Sequence, residues 1–160
     1  MDNMNSIYAF AFAGNISSKV LYRLKSTDCS FLAYPNNIDF YLKMLLHDQP
    51  RYILGMGVYS GKDQESIRIE TTTNNKFRNE KIEPLLEADE TLTLKNFLIP
   101  TEGAKLASGL GNSWCNLVSW KIMQLINQKL LSSKYSFLHI PTSTPLPIAL
   151  TTIEKMISLM

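Results

Sequence analysis

Apolar positions along the chain fall into short continuous runs and longer stretches of helical period. Residues 7 to 14, IYAFAFAG, are apolar throughout and end in glycine, which predicts a short buried strand. Asn15, Ser17 and Ser18 then stand as helix caps ahead of VLYRLK. CSFLAYP, residues 29 to 35, predicts a second strand stopped by Pro35. In the following NNIDFYLKMLLHDQ, Ile38, Tyr41, Leu42, Leu45 and Leu46 share one helical face. RYILGMGVYSG predicts a third strand running into a glycine-containing loop. Strands alternating with helices in this way predict a mostly parallel sheet covered on both faces.

The pattern loosens after residue 60. SIRIETTTNN, 66 to 75, alternates and is rich in Ile and Thr, as one strand would be. Residues 76 to 90 are charged and weakly patterned, which predicts a loop. LTLKNFLIP reads as a strand ending at Pro100, and TEGAKLASGLG, with three glycines, as a loop or a short helix. From Ser113 onward, Leu117, Val118, Met123, Leu125, Ile126 and Leu130 predict an amphipathic helix. FLHIP, 137 to 141, predicts a last short strand, and LPIALTTIEKMISLM a closing helix. No repeat or low-complexity segment interrupts the series. The expected architecture is one α/β domain over residues 1–160, a three-layer α/β/α sandwich with a mixed, mostly parallel sheet.

Composition narrows the class. A chain of 160 residues hides enough surface to fold without a metal or disulfide staple. Sixteen basic and 14 acidic residues leave a net charge of +2, without a Lys/Arg cluster, so nucleic acid is not an expected partner. No apolar run reaches the roughly 18 residues of a membrane span. The apolar start faintly resembles a cleaved leader but lacks basic residues and carries Asp2, so no leader is expected. Cys29 and Cys115 are too few for a disulfide framework and lack metal-site spacing. With only His47 and His139 beside them, no metal site is expected. A reducing cytoplasm and free thiols are the default.

Candidate chemistry begins at GNSWCNLVSW, residues 111 to 120. Asn112 or Ser113 caps the predicted helix and leaves Cys115 in its first turn, where unpaired amides and the helix dipole favour an anion. A thiol so placed is expected to have a lowered pKa and to serve as a nucleophile. From the local pattern alone, a small buried inert cysteine is the commoner outcome. His139 falls near the C-terminal end of a predicted strand, the edge at which open parallel sheets collect catalytic groups. It could take the thiol proton and return it to a leaving amine, or merely bond a loop. Glu70 closes SIRIE and could orient that imidazole, or be a plain strand-end carboxylate. His47 reads as a cation near a helix C-terminus, and Cys29 as structural.

Taken together, these segments resemble the pyroglutamyl peptidase I family of cysteine peptidases, also called pyrrolidone carboxyl peptidases. GMGVYSGKDQESIRIETTTNN is similar to the family's glycine loop and catalytic-glutamate strand at Gly61, Ile67, Ile69, Glu70 and Asn75. LGNSWCN resembles its nucleophile turn at Gly111, Cys115 and Asn116, and FLHIP its histidine strand at Phe137, His139 and Pro141. The separation of 24 positions from Cys115 to His139 is also similar to the family's spacing. The closing ALTTIEKMIS resembles its last helix.

The resemblance implies a phosphorylase/hydrolase-like α/β/α fold and removal of an N-terminal pyroglutamyl residue, or cleavage of a related small acyl amide. In that scheme Cys115 is the nucleophile, His139 the general base and acid, and Glu70 the orienting carboxylate, with no cofactor. Phe10 and Phe12 would line an apolar pocket for a lactam ring. Lys81, just before Ile82, matches a position where the family carries arginine, and Trp114 one where it carries a smaller apolar residue. The substrate implied is a small peptide or acyl amide, and a dimer or tetramer is the implied assembly. The alternative is a catalytically idle homologue that binds a small molecule or peptide, or serves as an assembly subunit. A plain α/β scaffold for an unrelated ligand is the third reading.

Overall fold

Ile7–Phe12 forms strand β1, the continuous apolar run at the start of the chain. Asn15 then caps helix α1, Ile16–Leu21, accepting a 2.9 Å hydrogen bond from the Ser17 amide in place of the missing helical carbonyl. Strand β2, Cys29–Ala33, and helix α2, Ile38–Asp48, follow as the pattern predicts, with Ile38, Tyr41 and Leu45 buried. Strand β3, Tyr52–Tyr59, completes three parallel strands with β1 between β2 and β3. The computed structural model describes residues 6–160, so Asp2 and the expectation attached to it lie outside the described residues.

Beyond β3 the chain forms β4, Ile67–Glu70, then β5, Thr72–Asn74, and β6, Thr91–Thr93. The expected single strand over 66 to 75 therefore breaks at Thr71. Its second half pairs with β6 in a separate antiparallel ribbon, and the expected strand to Pro100 shrinks to three residues. Strand β7 is Ala104–Ala107, within the segment expected to be a loop or short helix. AKLA has little strand propensity of its own; pairing beside Ile67 and Ile69 of β4 makes it a strand at the sheet edge.

Helix α3 spans Trp114–Asn127, strand β8 Lys134–Pro141 and helix α4 Leu146–Ser158. The helix stops before Leu130, which is 53% exposed rather than part of its buried face. Lys129 sits in the left-handed region at φ 60° and turns the chain away. The six-stranded sheet runs in the order β2-β1-β3-β8-β4-β7 and is parallel except between β8 and β4.

Alternation along the strands builds two unlike cores. Under α1 and α4 lie Ala9, Ala11, Leu54, Met56, Ile67, Ile69, Leu138 and Ile140. Under α2 and α3 lie Phe10, Ile53, Tyr135 and Phe137, packed on Tyr41, Val118 and Ile122. The expected three-layer sandwich is the observed one, and the second of its cores positions the site.

Candidate active site

The site is organised around Gly57 of β3, which stands opposite His139 of β8 in the parallel register. A Cβ at Gly57 would lie 2.7 Å from the Cys115 sulfur and 3.3 Å from His139 Cδ2. Only glycine leaves room there, and the sulfur and the imidazole edge share the space it opens. Cδ2 is bonded to Nε2, so the ring edge toward the Gly57 gap carries that nitrogen. The other ring nitrogen, Nδ1, is 2.8 Å from Glu70 Oε1. Phe137 meets the His139 ring edge-on, with centroids 5.1 Å apart, and limits its rotation. Cys115, His139 and Glu70, sixty-nine residues apart at the extremes, thus meet on one face of the sheet.

Glu70 is 0% exposed and His139 5%. Glu70 lies diagonally from His139, since β4 and β8 pair Arg68 with His139 and Glu70 with Phe137. Burial raises the Glu70 carboxyl, but hydrogen bonds and charge from His139 and Arg68 outweigh it and hold the group below its ordinary value. Glu70 is therefore an acceptor at neutral pH, and Nδ1 must donate to it. Its Oε1 also accepts from Arg68 Nε at 3.0 Å, whereas Oε2 has no hydrogen-bond partner among the described residues.

Cys115 occupies the first turn of α3, behind Ser113 as N-cap. The expected lowered thiol pKa is not what the structure gives. Burial pushes the Cys115 thiol up to about 12, its own amide hydrogen bond only partly offsets this, and the Glu70 charge adds to the rise. The residues leading into the helix are exposed and Cys115 is half-buried, so it is the loss of solvation at the sulfur itself that outweighs the dipole. That direction favours the neutral thiol.

Asn116, next to Cys115, is wholly buried and anchors the turn. Its amide donates to the Asn74 carbonyl at 2.9 Å and the Lys76 carbonyl at 2.6 Å, and its Oδ1 accepts from the Thr73 hydroxyl at 2.7 Å. Asn75 likewise ties down the next loop: its amide donates to the Glu83 carbonyl at 2.9 Å and its Oδ1 accepts from the Glu83 N–H at 2.6 Å. Both asparagines were legible only as motif matches. Arg68 was not singled out at all: an arginine alternating with isoleucines looks like the solvent side of a strand, yet it is only 9% exposed.

The residues expected to form the substrate pocket divide. Phe10 is 0% exposed, packed against Phe12, Tyr41 and Phe137, so it fills the core instead of lining an opening. Being in the middle of a central strand, it has no route to the surface. Phe12, at the strand's end, is half-buried. Trp114 is half-buried against Phe77, with ring centroids 4.8 Å apart. Lys81 is on the surface, 3.8 Å from Glu87, and Ile82 is half-buried beside it in sequence. Among the described residues no group of three His, Cys, Asp or Glu side chains could hold a metal ion, and no helix is long and apolar enough to cross a membrane.

Solved structures with this arrangement of elements exist. Pyroglutamyl peptidase I from Bacillus amyloliquefaciens superposes with a TM-score of 0.78 at 15% identity, over 96% of this chain and 93% of that one. The fold is that of the pyroglutamyl peptidases. The pyrrolidone carboxyl peptidase of Thermococcus litoralis gives 0.77 at 15% identity, over 98% and 93% of the two chains. That of Thermus thermophilus gives 0.75 at 14%, over 96% and 100%. No protein-family model and no curated protein matches the sequence. At such identities the likeness is one of fold.

Proposed function

We propose that this chain is a cysteine hydrolase that removes an N-terminal pyroglutamyl residue, or cleaves a related small acyl amide, through Cys115, His139 and Glu70. The single observation that carries the reading is the imidazole of His139, bonded through Nδ1 to Glu70 while its other edge shares the Gly57 gap with the Cys115 sulfur. The fold likeness to pyroglutamyl peptidases supports the choice of substrate class.

With burial favouring the neutral thiol, proton transfer accompanies attack. Nε2 takes the thiol proton as sulfur bonds to the amide carbonyl carbon, and the imidazolium so formed faces the Glu70 carboxylate. The carbonyl oxygen becomes an oxyanion beside the first-turn amides of α3, which have no helical carbonyl to bond. The C–N bond then breaks, the amine leaves with the imidazolium proton, and a thioester remains on Cys115. Water, deprotonated by Nε2, attacks the thioester to free the acid and restore the thiol. The test is cleavage of a fluorogenic pyroglutamyl amide. Wild-type protein should turn it over, and Cys115→Ser should lower kcat by about 10^4-fold or more while leaving the fold intact. No turnover by the wild type across pyroglutamyl and small acyl amides would end the reading.

A second reading, an idle homologue that binds a peptide or small molecule, is favoured by the thiol held near 12 and by Phe10 filling its own pocket. It expects the same amides to raise the melting temperature without being cleaved.

A further inference from the structure

We propose that Arg68 is a positioning residue of this site: its guanidinium keeps the Glu70 carboxylate ionised and turned toward His139, and so decides which imidazole nitrogen carries the ring proton. The catalytic consequence rests on the hydrolase reading above; the positioning itself does not.

Arg68 and Glu70 lie two apart on β4 and therefore on the same face of the strand. Arg68 folds back along its own strand, and its Nε donates to Glu70 Oε1 at 3.0 Å, the oxygen that also accepts from His139 Nδ1. Two further contacts hold the guanidinium in place. Its Nη2 donates to the Ser108 carbonyl at 3.3 Å, and its carbon lies 4.3 Å from the centroid of the Tyr59 ring. Arg68 thus links the end of β3, the turn after β7 and the carboxylate. A lysine ammonium could not make the stacked and forked contacts at once.

Charged and titratable groups face Glu70 from every side: His139 on β8, Arg68 on β4 and Cys115 on α3. Of these, Arg68 is the permanent cation. Asp63, ion-paired with Lys105, lies within reach of Arg68's charge from the loop after β3. Without the guanidinium, a fully buried carboxylate with one unpartnered oxygen would retain only a neutral imidazole beside it, and burial would favour its protonated form. A carboxylic acid can donate to Nδ1. The ring proton would then sit on Nε2, and the nitrogen facing Cys115 could no longer accept the thiol proton. Arg68 guards against that tautomer.

The experiment is to compare wild type, Arg68→Gln and Arg68→Lys by the 15N shifts of the His139 ring and by the pH profile of kcat/KM on a pyroglutamyl amide. Wild type should show Nδ1 protonated at neutral pH. Arg68→Gln should show Nε2 protonated in part or in full. Its kcat/KM should fall about ten- to hundredfold, the fold-change of one lost charge-assisted hydrogen bond, with the acidic limb moved upward. Arg68→Lys should fall between the two. If Arg68→Gln does not fold, Arg68→Lys decides alone: an upward shift of the limb or of the Nε2–H share supports the role, and none overturns it. Unchanged tautomer and limb in a folded Arg68→Gln also overturn it, even if turnover persists. A tautomer that responds to Arg68 in a protein without turnover would uphold the positioning and end the hydrolase reading.

Discussion

On the α1/α4 side of the sheet, β4 and β8 present Ile67, Ile69, Leu138 and Ile140; on the α2/α3 side the same two strands present Arg68, Glu70, Phe137 and His139. Both faces are buried, so the difference is not one of exposure. The aliphatic face is held by area removed from water, a force without direction that tolerates exchange of one hydrocarbon for another. The polar face is held by distances: 2.8 Å from His139 to Glu70, 3.0 Å from Arg68 to Glu70, and a gap at Gly57 that fits a sulfur and a ring edge. Both faces carry hydrophobic core, but only the α2/α3 side also carries this polar cluster.

Substitutions can break this division, beginning with the largest effect. Ile69→Ala, in the wholly buried aliphatic core, should cost about 2–5 kcal/mol of stability in denaturant unfolding. Its kcat/KM per folded molecule should stay within about threefold of wild type; a large loss would mean that the two faces are coupled. Gly57→Ala should do the reverse. Its Cβ would collide with the Cys115 sulfur, which can rotate away, so stability should fall by only about 1–3 kcal/mol. Cleavage should fall about 100-fold or more, since the sulfur leaves its place beside the imidazole. Retained activity would place the reacting thiol elsewhere.

The mildest effect is a pH dependence. Glu70 has its folded pKa below the ordinary 4.5, so it contributes stability above that value and loses it as pH falls through the folded pKa. Glu70→Gln lacks the contribution. The melting temperatures of wild type and Glu70→Gln should therefore converge in acid, from a gap that is fully open at neutral pH. A gap that widened on acidification would mean that Glu70 is protonated in the native protein.

Much of the fold could be read from the sequence because each long element declares itself locally. The apolar run of β1, the i, i+3, i+4 stripe of α2 and the FLHIP segment all became what their periods predict. The misread segments are those whose state depends on a neighbour. AKLA became a strand through β4, TTN left its expected strand for a ribbon with TLT, and Leu130 fell past the helix end. The motif around Cys115 and the positions of His139 and Glu70 were legible as residue types at element ends. The upward push on the thiol was not, since it depends on how far packing strips water from the sulfur.

What the chain determines alone is the order of strands and helices and the alternation that sends isoleucine to one face and His139 and Glu70 to the other. Period and polarity act between residues a few positions apart, so they survive in the linear text. Tertiary structure decided that Arg68 faces inward, that Phe10 is core and that a glycine in β3 opens the gap for a cysteine fifty-eight residues later. Those outcomes depend on the register between strands far apart in sequence and on how much water the packed helices leave, and neither quantity is written in any single segment.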